Sequence, residues 1–228
     1  MLHHVKLLIG LKSQDILPTR EGAKTEWYLP ELVHPYSTLI LHIYMIFASS
    51  KGVEAPSDLD SIEDSKNDKE CQWFLRENET LWKNTESLAA MLDRTDKLVG
   101  ILFVGGHGLR SFLDSVSIFS DSGRIVSTVC NGSAELVNVK PSDGSYMIQD
   151  QAGTGLSNAK EDANNFTNAM PILREDELKN HGNKYEKVEH LLGVKVVVSG
   201  KQGNLVTGQD PPSAGVIEKI LLELIQKL

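Results

Sequence analysis

The feature that most constrains this chain is a pair of short apolar runs that each stop abruptly at a turn of small residues. Leu98 to Val104 ends in Gly105-Gly106-His107-Gly108, and Arg124 to Val129 ends in Cys130-Asn131-Gly132-Ser133. Each reads as a buried strand, a sharp turn and then a helix. Val5 to Leu11, Ile43 to Ala48, Val194 to Val198 and Leu205 to Gly208 are further strand candidates. Helical spacing covers Glu31 to Leu41 behind Pro30, Glu70 to Leu92 in broken segments, and Ala214 to Leu228. Buried runs alternating with helices predict an α/β fold, a mostly parallel sheet covered on both faces. Active sites of such sheets lie at the carboxyl ends of the strands, so the two turns point toward one crevice. Lys12 to Lys24 is predicted to be a loop, and Ser49 to Lys69 a long excursion over the surface. No repeat, low-complexity tract or linker divides the chain, and residues 1–228 are expected to form one domain.

With 228 residues and ordinary apolar content, the chain has enough material for a sizeable core. Its net charge of −8 argues against nucleic acid as a partner, which needs clustered cations. No stretch approaches the roughly 20 apolar residues of a membrane span, so no membrane partner is expected. The two cysteines, Cys71 and Cys130, cannot make a secreted-type disulfide framework, and nothing at the start resembles a signal peptide. A cytoplasmic location is therefore the expectation.

Cys130 is the sharpest chemical signal. A cysteine between a buried strand and a helix sits on a tight turn, where the helix N-terminus can favour the thiolate. Gly132 would let a substrate approach the backbone, and the Asn131 backbone N–H is a candidate oxyanion donor. A buried structural cysteine is the competing reading, and context alone leaves the two about even. The glycines around Gly106 and His107 offer a second set of donors, although most glycine clusters are simply turns. Glu31, taken alone, reads as a solvated acid in the first turn of a helix. His34, His42 and His107 have no recognised ligand spacing, so neither a metal nor another cofactor is expected. His34 reads as a structural residue capping the turn at Pro35, and Cys71 as packing.

Several segments, in order, resemble the glutathione-independent glyoxalase and holding-chaperone branch of the PfpI-type (class I glutamine amidotransferase-like) superfamily. They are Thr25 to Tyr36, Ala48 to Gly52, Ile101 to Gly108, Val129 to Ala134, Thr154 to Asp162 and Leu205 to Ala214. The resemblance implies a flavodoxin-like three-layer sandwich, usually a homodimer, and conversion of methylglyoxal, a small reactive carbonyl, to lactate. It also implies roles. Cys130 would attack the aldehyde and Glu31 would shuttle protons. The residue after the cysteine and the acid at Glu161 would complete a triad. Misfolded client proteins are a further class of partner in that branch.

The chain departs from that pattern at the centre of the site. The branch carries Val-Cys-His-Gly-Pro-Ala at the elbow, and here the histidine is Asn131 and the proline is Ser133. An amide neither takes up nor releases a proton near neutral pH. The departure sets up two expectations: a glyoxalase-like enzyme of reduced activity, or a catalytically impaired holding chaperone or thiol-based stress sensor. Related branches that cleave peptides or transfer amide nitrogen rely on a Cys-His pair, which Asn131 breaks. His107 would have to supply the missing imidazole if its ring turned into the pocket.

Overall fold

A computed structural model describes residues 5–12, 26–106, 113–168, 170, 172–191 and 193–228. His107 and Phe112, and all of the predicted loop beyond Lys12 up to Lys24, lie outside the described residues. The chain opens with β1 (Lys6–Leu11), α1 (Leu29–Leu39) and β2 (Tyr44–Ser49). Short helices α2 (Leu59–Asp64), α3 (Lys69–Glu77) and α4 (Glu79–Lys83) lead to the two-residue β3 (Glu86–Ser87) and α5 (Leu88–Leu92). Next come β4 (Gly100–Phe103), α6 (Leu113–Asp121), β5 (Ile125–Val129) and a 3₁₀ helix (Cys130–Glu135). The remainder is β6 (Ala152–Gly153), α7 (Asn158–Ala163), α8 (Arg174–Asn180), β7 (Lys184–Tyr185), β8 (Val196–Ser199), β9 (Leu205–Gly208) and α9 (Ala214–Gln226).

Seven strands form one sheet in the order β3-β2-β1-β4-β5-β9-β8, all parallel except β8, which runs antiparallel to β9. Alternation along β1 shows how the layers arise. Leu7, Ile9 and Leu11 join a core cluster with α1, α3 and α9, whereas Leu8 joins Met91, Val116 and Phe119 on the opposite face. Every residue from Leu7 to Leu11 is buried, which is why the run reads as continuously apolar. Each such Leu or Ile side chain contributes on the order of 1.5–3 kcal/mol when fully buried. The architecture is a flavodoxin-like three-layer α/β sandwich. Among the described residues no helix is long and apolar enough to cross a membrane.

Strand order reverses between β1 and β4, the switch point at which open α/β sheets leave a crevice. Residues directly after β1, β4, β5 and β9 therefore meet at one end of the molecule. The predicted excursion from Ser49 is more structured than its composition suggests. Asp58 caps α2 through the Ser61 N–H at 2.7 Å, and Asp68 caps α3 through the Glu70 and Cys71 N–H groups. Polar capping residues look like loop in a sequence, although they are what starts these helices. The pair β6–β7 forms a second small parallel sheet.

Candidate active site at the strand ends

β5 delivers Cys130 into a backbone conformation of φ 55°, left-handed and strained for a side chain larger than glycine's. The bend is held by hydrogen bonds: Ser133 Oγ donates to Cys130 O at 2.9 Å, and Leu156 N donates to the same oxygen at 3.4 Å. Ser133 thus anchors the elbow with its hydroxyl at the position where the resembled pattern has proline. Gly132 also serves packing. A Cβ there would lie 2.4 Å from Phe103 O, so the glycine lets the elbow press against β4.

Glu31 comes from the first turn of α1 and is fully buried, which overturns its reading as a solvated helix-start acid. The backbone N–H of Gly105 donates to Glu31 Oε2 at 2.8 Å, and Cys130 flanks the same glycine, near enough to act on the carboxyl. Gly105 has to be glycine, because a Cβ would meet Glu31 Oε2 at 2.3 Å and Cys130 Cβ at 3.0 Å. Burial pushes the Glu31 carboxyl up to about 8, against the downward pull of the thiol, the Gly105 N–H and Lys12. Cys130 goes the same way. Burial, and then the Glu31 charge, hold the thiol well above its ordinary range, with Glu161 adding to the effect. The expectation of a helix-stabilised thiolate is therefore wrong. The cysteine opens only six residues of 3₁₀ helix, whose dipole is too weak to outweigh desolvation.

Asn131 is buried, and its backbone N–H favours the ionised form of the Cys130 sulfur. Its side-chain Oδ1 and Nδ2 have no hydrogen-bond partner among the described residues. Glu161, in α7, is buried and near enough for its charge to act on Cys130. Gly106 adopts φ 131°, open only to glycine, with its backbone packed on Glu26 O. Cys130, Asn131 and Gly106 open together onto a cleft of about 780 Å³, also walled by Tyr28, Lys160 and Asp210. The structure thus brings five of the six predicted site residues to one place, Glu161 through its charge, and His107 falls outside the described residues.

Sequence reasoning missed several charged residues here. Lys12 is buried directly after β1, where a loop was predicted, and Glu135 and Arg174 are buried with it. A lysine abutting an apolar run and a glutamate inside the apolar stretch Ala134 to Val137 were the available signals. Asp58, Asp60 and Asp64 line the outer cleft, and Asp210 is pushed upward by burial. His34 does not cap the turn at Pro35. Its Nε2 pairs with Asp68 Oδ2 at 2.8 Å, tying α1 to the start of α3. Ligand atoms of His34, Asp68 and Cys71 lie within 4.8 Å of one another, a grouping that the sequence spacing did not reveal. There burial pushes the Cys71 thiol up to about 12, so it is held as the neutral thiol.

No family model matches the chain. It is 25% identical to glyoxalase 3 of Candida albicans over 92% of this chain and 94% of that one. It is 27% identical to a glutathione-independent glyoxalase of Schizosaccharomyces pombe over 85% of this chain and 86% of that one. Among solved structures, a rapid encystment protein of 24 kDa from Francisella tularensis superposes with TM-score 0.85 at 28% identity, covering 95% of this chain and 96% of that chain. Glyoxalase III of Candida albicans shares the fold at TM-score 0.82 and 23% identity, covering 97% of each chain. A ThiJ/PfpI domain protein from Brachyspira murdochii shares it at TM-score 0.61 and 15% identity, covering 98% of this chain and 97% of that chain. Over most of its length the chain is thus similar in sequence to two glyoxalases, and it shares its fold with a ThiJ/PfpI domain protein.

Proposed function

We propose that the protein is a glutathione-independent, glyoxalase-like enzyme that converts methylglyoxal and water to lactate through a hemithioacetal on Cys130, within one domain spanning residues 1–228. The observation that carries this reading is the Cys130 thiol set beside the buried Glu31 carboxyl, across Gly105, at the edge of an open cleft. A carboxyl poised near neutral pH is what proton shuttling between neighbouring carbons requires.

In this mechanism Sγ bonds the aldehyde carbon while the thiol proton passes through Glu31 to the new hydroxyl. The Gly106 N–H and the Asn131 amide donate to the oxygen that gains charge. Glu31 then removes the hydrogen on the aldehyde carbon as a proton, its electron pair moving toward the ketone. The same proton is returned to the former ketone carbon while the hydroxyl proton crosses to the neighbouring oxygen. A lactyl thioester results, and water cleaves its C–S bond to give lactate and the thiol. Asn131 takes no proton in this scheme, so every transfer falls on Glu31 and turnover is slow. With methylglyoxal labelled with carbon-13 at the aldehyde, the reading expects lactate labelled at its carboxyl carbon. Label recovered only in unreacted carbonyl would remove it.

A second reading is favoured by Asn131 itself: a fold that has lost turnover and acts as a holding chaperone. It expects suppression of client aggregation that persists in Cys130→Ala, and no suppression at equimolar protein would end it. Its thiol-sensor variant is the weaker form, because a buried, proton-bearing sulfur is a poor target for peroxide. A homodimer, expected from the resemblance, is tested by light scattering, where the mass of one chain would refute it.

A further inference from the structure

The proposed chemistry makes no use of Lys12, a buried charge beside the site. Lys12 comes directly after β1 and is 3% exposed. Its Nζ donates to Gly106 O at 2.6 Å and to Asn131 O at 3.3 Å. Those carbonyls belong to the two turns that end β4 and β5, the same turns that carry the backbone of the candidate site. Bringing an ammonium group out of water is costly unless partners repay it, and this one has a built setting. Facing it are Glu135 from the 3₁₀ helix, Arg174 from α8, Cys130 from the elbow and Glu31 from α1. Glu135 and Arg174 are themselves buried.

We infer that Lys12 is a positioning residue of this site: one ammonium group clasps the turn after β4 to the turn after β5 and brings a positive charge within electrostatic reach of the Cys130–Glu31 pair. The clasp explains why both turns can hold unusual backbone conformations, φ 55° at Cys130 and φ 131° at Gly106, at adjacent strand ends. The charge has a separate consequence. Glu31 is surrounded by the Cys130 thiol, the Gly105 N–H, Lys12 and Asp210, and Lys12 is the cation among them that favours its ionised form. Glu135, the foremost charged neighbour of Lys12, keeps the ammonium charged against burial, which lowers it to about 8. Lys12 therefore shapes reactivity without touching substrate.

For its activity consequence the inference rests on the glyoxalase reading, and its test does not. Alkylation of Cys130 by iodoacetamide at pH 7, where Lys12 is charged, is followed by mass spectrometry of the Cys130 peptide, so Cys71 does not interfere. Lys12→Met removes clasp and charge, Lys12→Gln keeps a donor without charge, and Lys12→Arg keeps the charge. The expected result is an alkylation rate lowered about tenfold in the Met and Gln variants, and restored toward the parent in Arg. Equal rates for parent and Gln would overturn the inference, whatever the melting temperatures do. If Lys12→Met does not fold, the Gln and Arg pair still decides. A protein that forms no lactate but shows the lowered rate in these variants would leave this inference standing and the glyoxalase reading fallen.

Discussion

The Cys130 thiol and the Glu31 carboxyl are neighbours across Gly105, and their interaction holds the carboxyl down and the thiol up while burial pushes both up. At neutral pH the pair is thus a thiol beside a carboxyl group that is largely protonated. A thiol alone in this setting would be inert, and a carboxylate alone would have nothing to activate. Proton transfer between them is what creates a nucleophile at the moment of attack.

Replacing Glu31 by glutamine keeps the shape and removes the shuttle. Lactate formation should fall by about 10²–10⁴-fold, the usual contribution of a positioned acid–base group. A loss under about threefold would show that protons travel another way.

The same variant has a stability signature whose sign is fixed. The folded-state value of Glu31, about 8, lies above its ordinary 4.5, so the folded protein binds the extra proton and loses stability as pH rises from 4.5 to 8. Glu31→Gln should abolish that slope, and its stability relative to the parent should rise across this window by on the order of a few kcal/mol. Urea unfolding at pH 5 and pH 8 reads the difference. An equal or opposite change would contradict the buried setting of Glu31.

Gly105→Ala places a methyl group against Glu31 Oε2 and Cys130 Cβ, both too close to tolerate it. Destabilisation of about 1–3 kcal/mol is expected by thermal or urea unfolding, together with loss of turnover. Unchanged stability would mean that the carboxyl does not sit where the backbone N–H of Gly105 meets it.

Asn131→His returns an imidazole to the elbow beside buried Glu161. Lactate formation should rise by about 10- to 10²-fold, toward the lower end of what acid–base groups supply. No gain would show that the pocket departs from glyoxalase geometry more deeply than at this one side chain.

The legible and the illegible parts of this chain divide along physical lines. β1, β2, β4 and β5 are readable in the sequence because strands covered on both faces must be apolar throughout, and the turns after β4 and β5 are readable from their glycines and the cysteine. Glu31 is not readable from its own surroundings: an acid in a first helical turn looks the same whether it faces water or a thiol far along the chain. Only the resemblance singles it out. Lys12 fails for the opposite reason, since a charge after an apolar run reads as loop until the carbonyls of Gly106 and Asn131 are seen to receive it. The two-residue strands β6 and β7 carry too few residues for any periodicity to emerge.

The role of Cys130 as nucleophile is decided by the rate of lactate formation from methylglyoxal, without glutathione, in the parent protein and in Cys130→Ala side by side. A hemithioacetal on this sulfur requires lactate from the parent and none above the uncatalysed rate from the variant. Equal rates from both proteins would refute it.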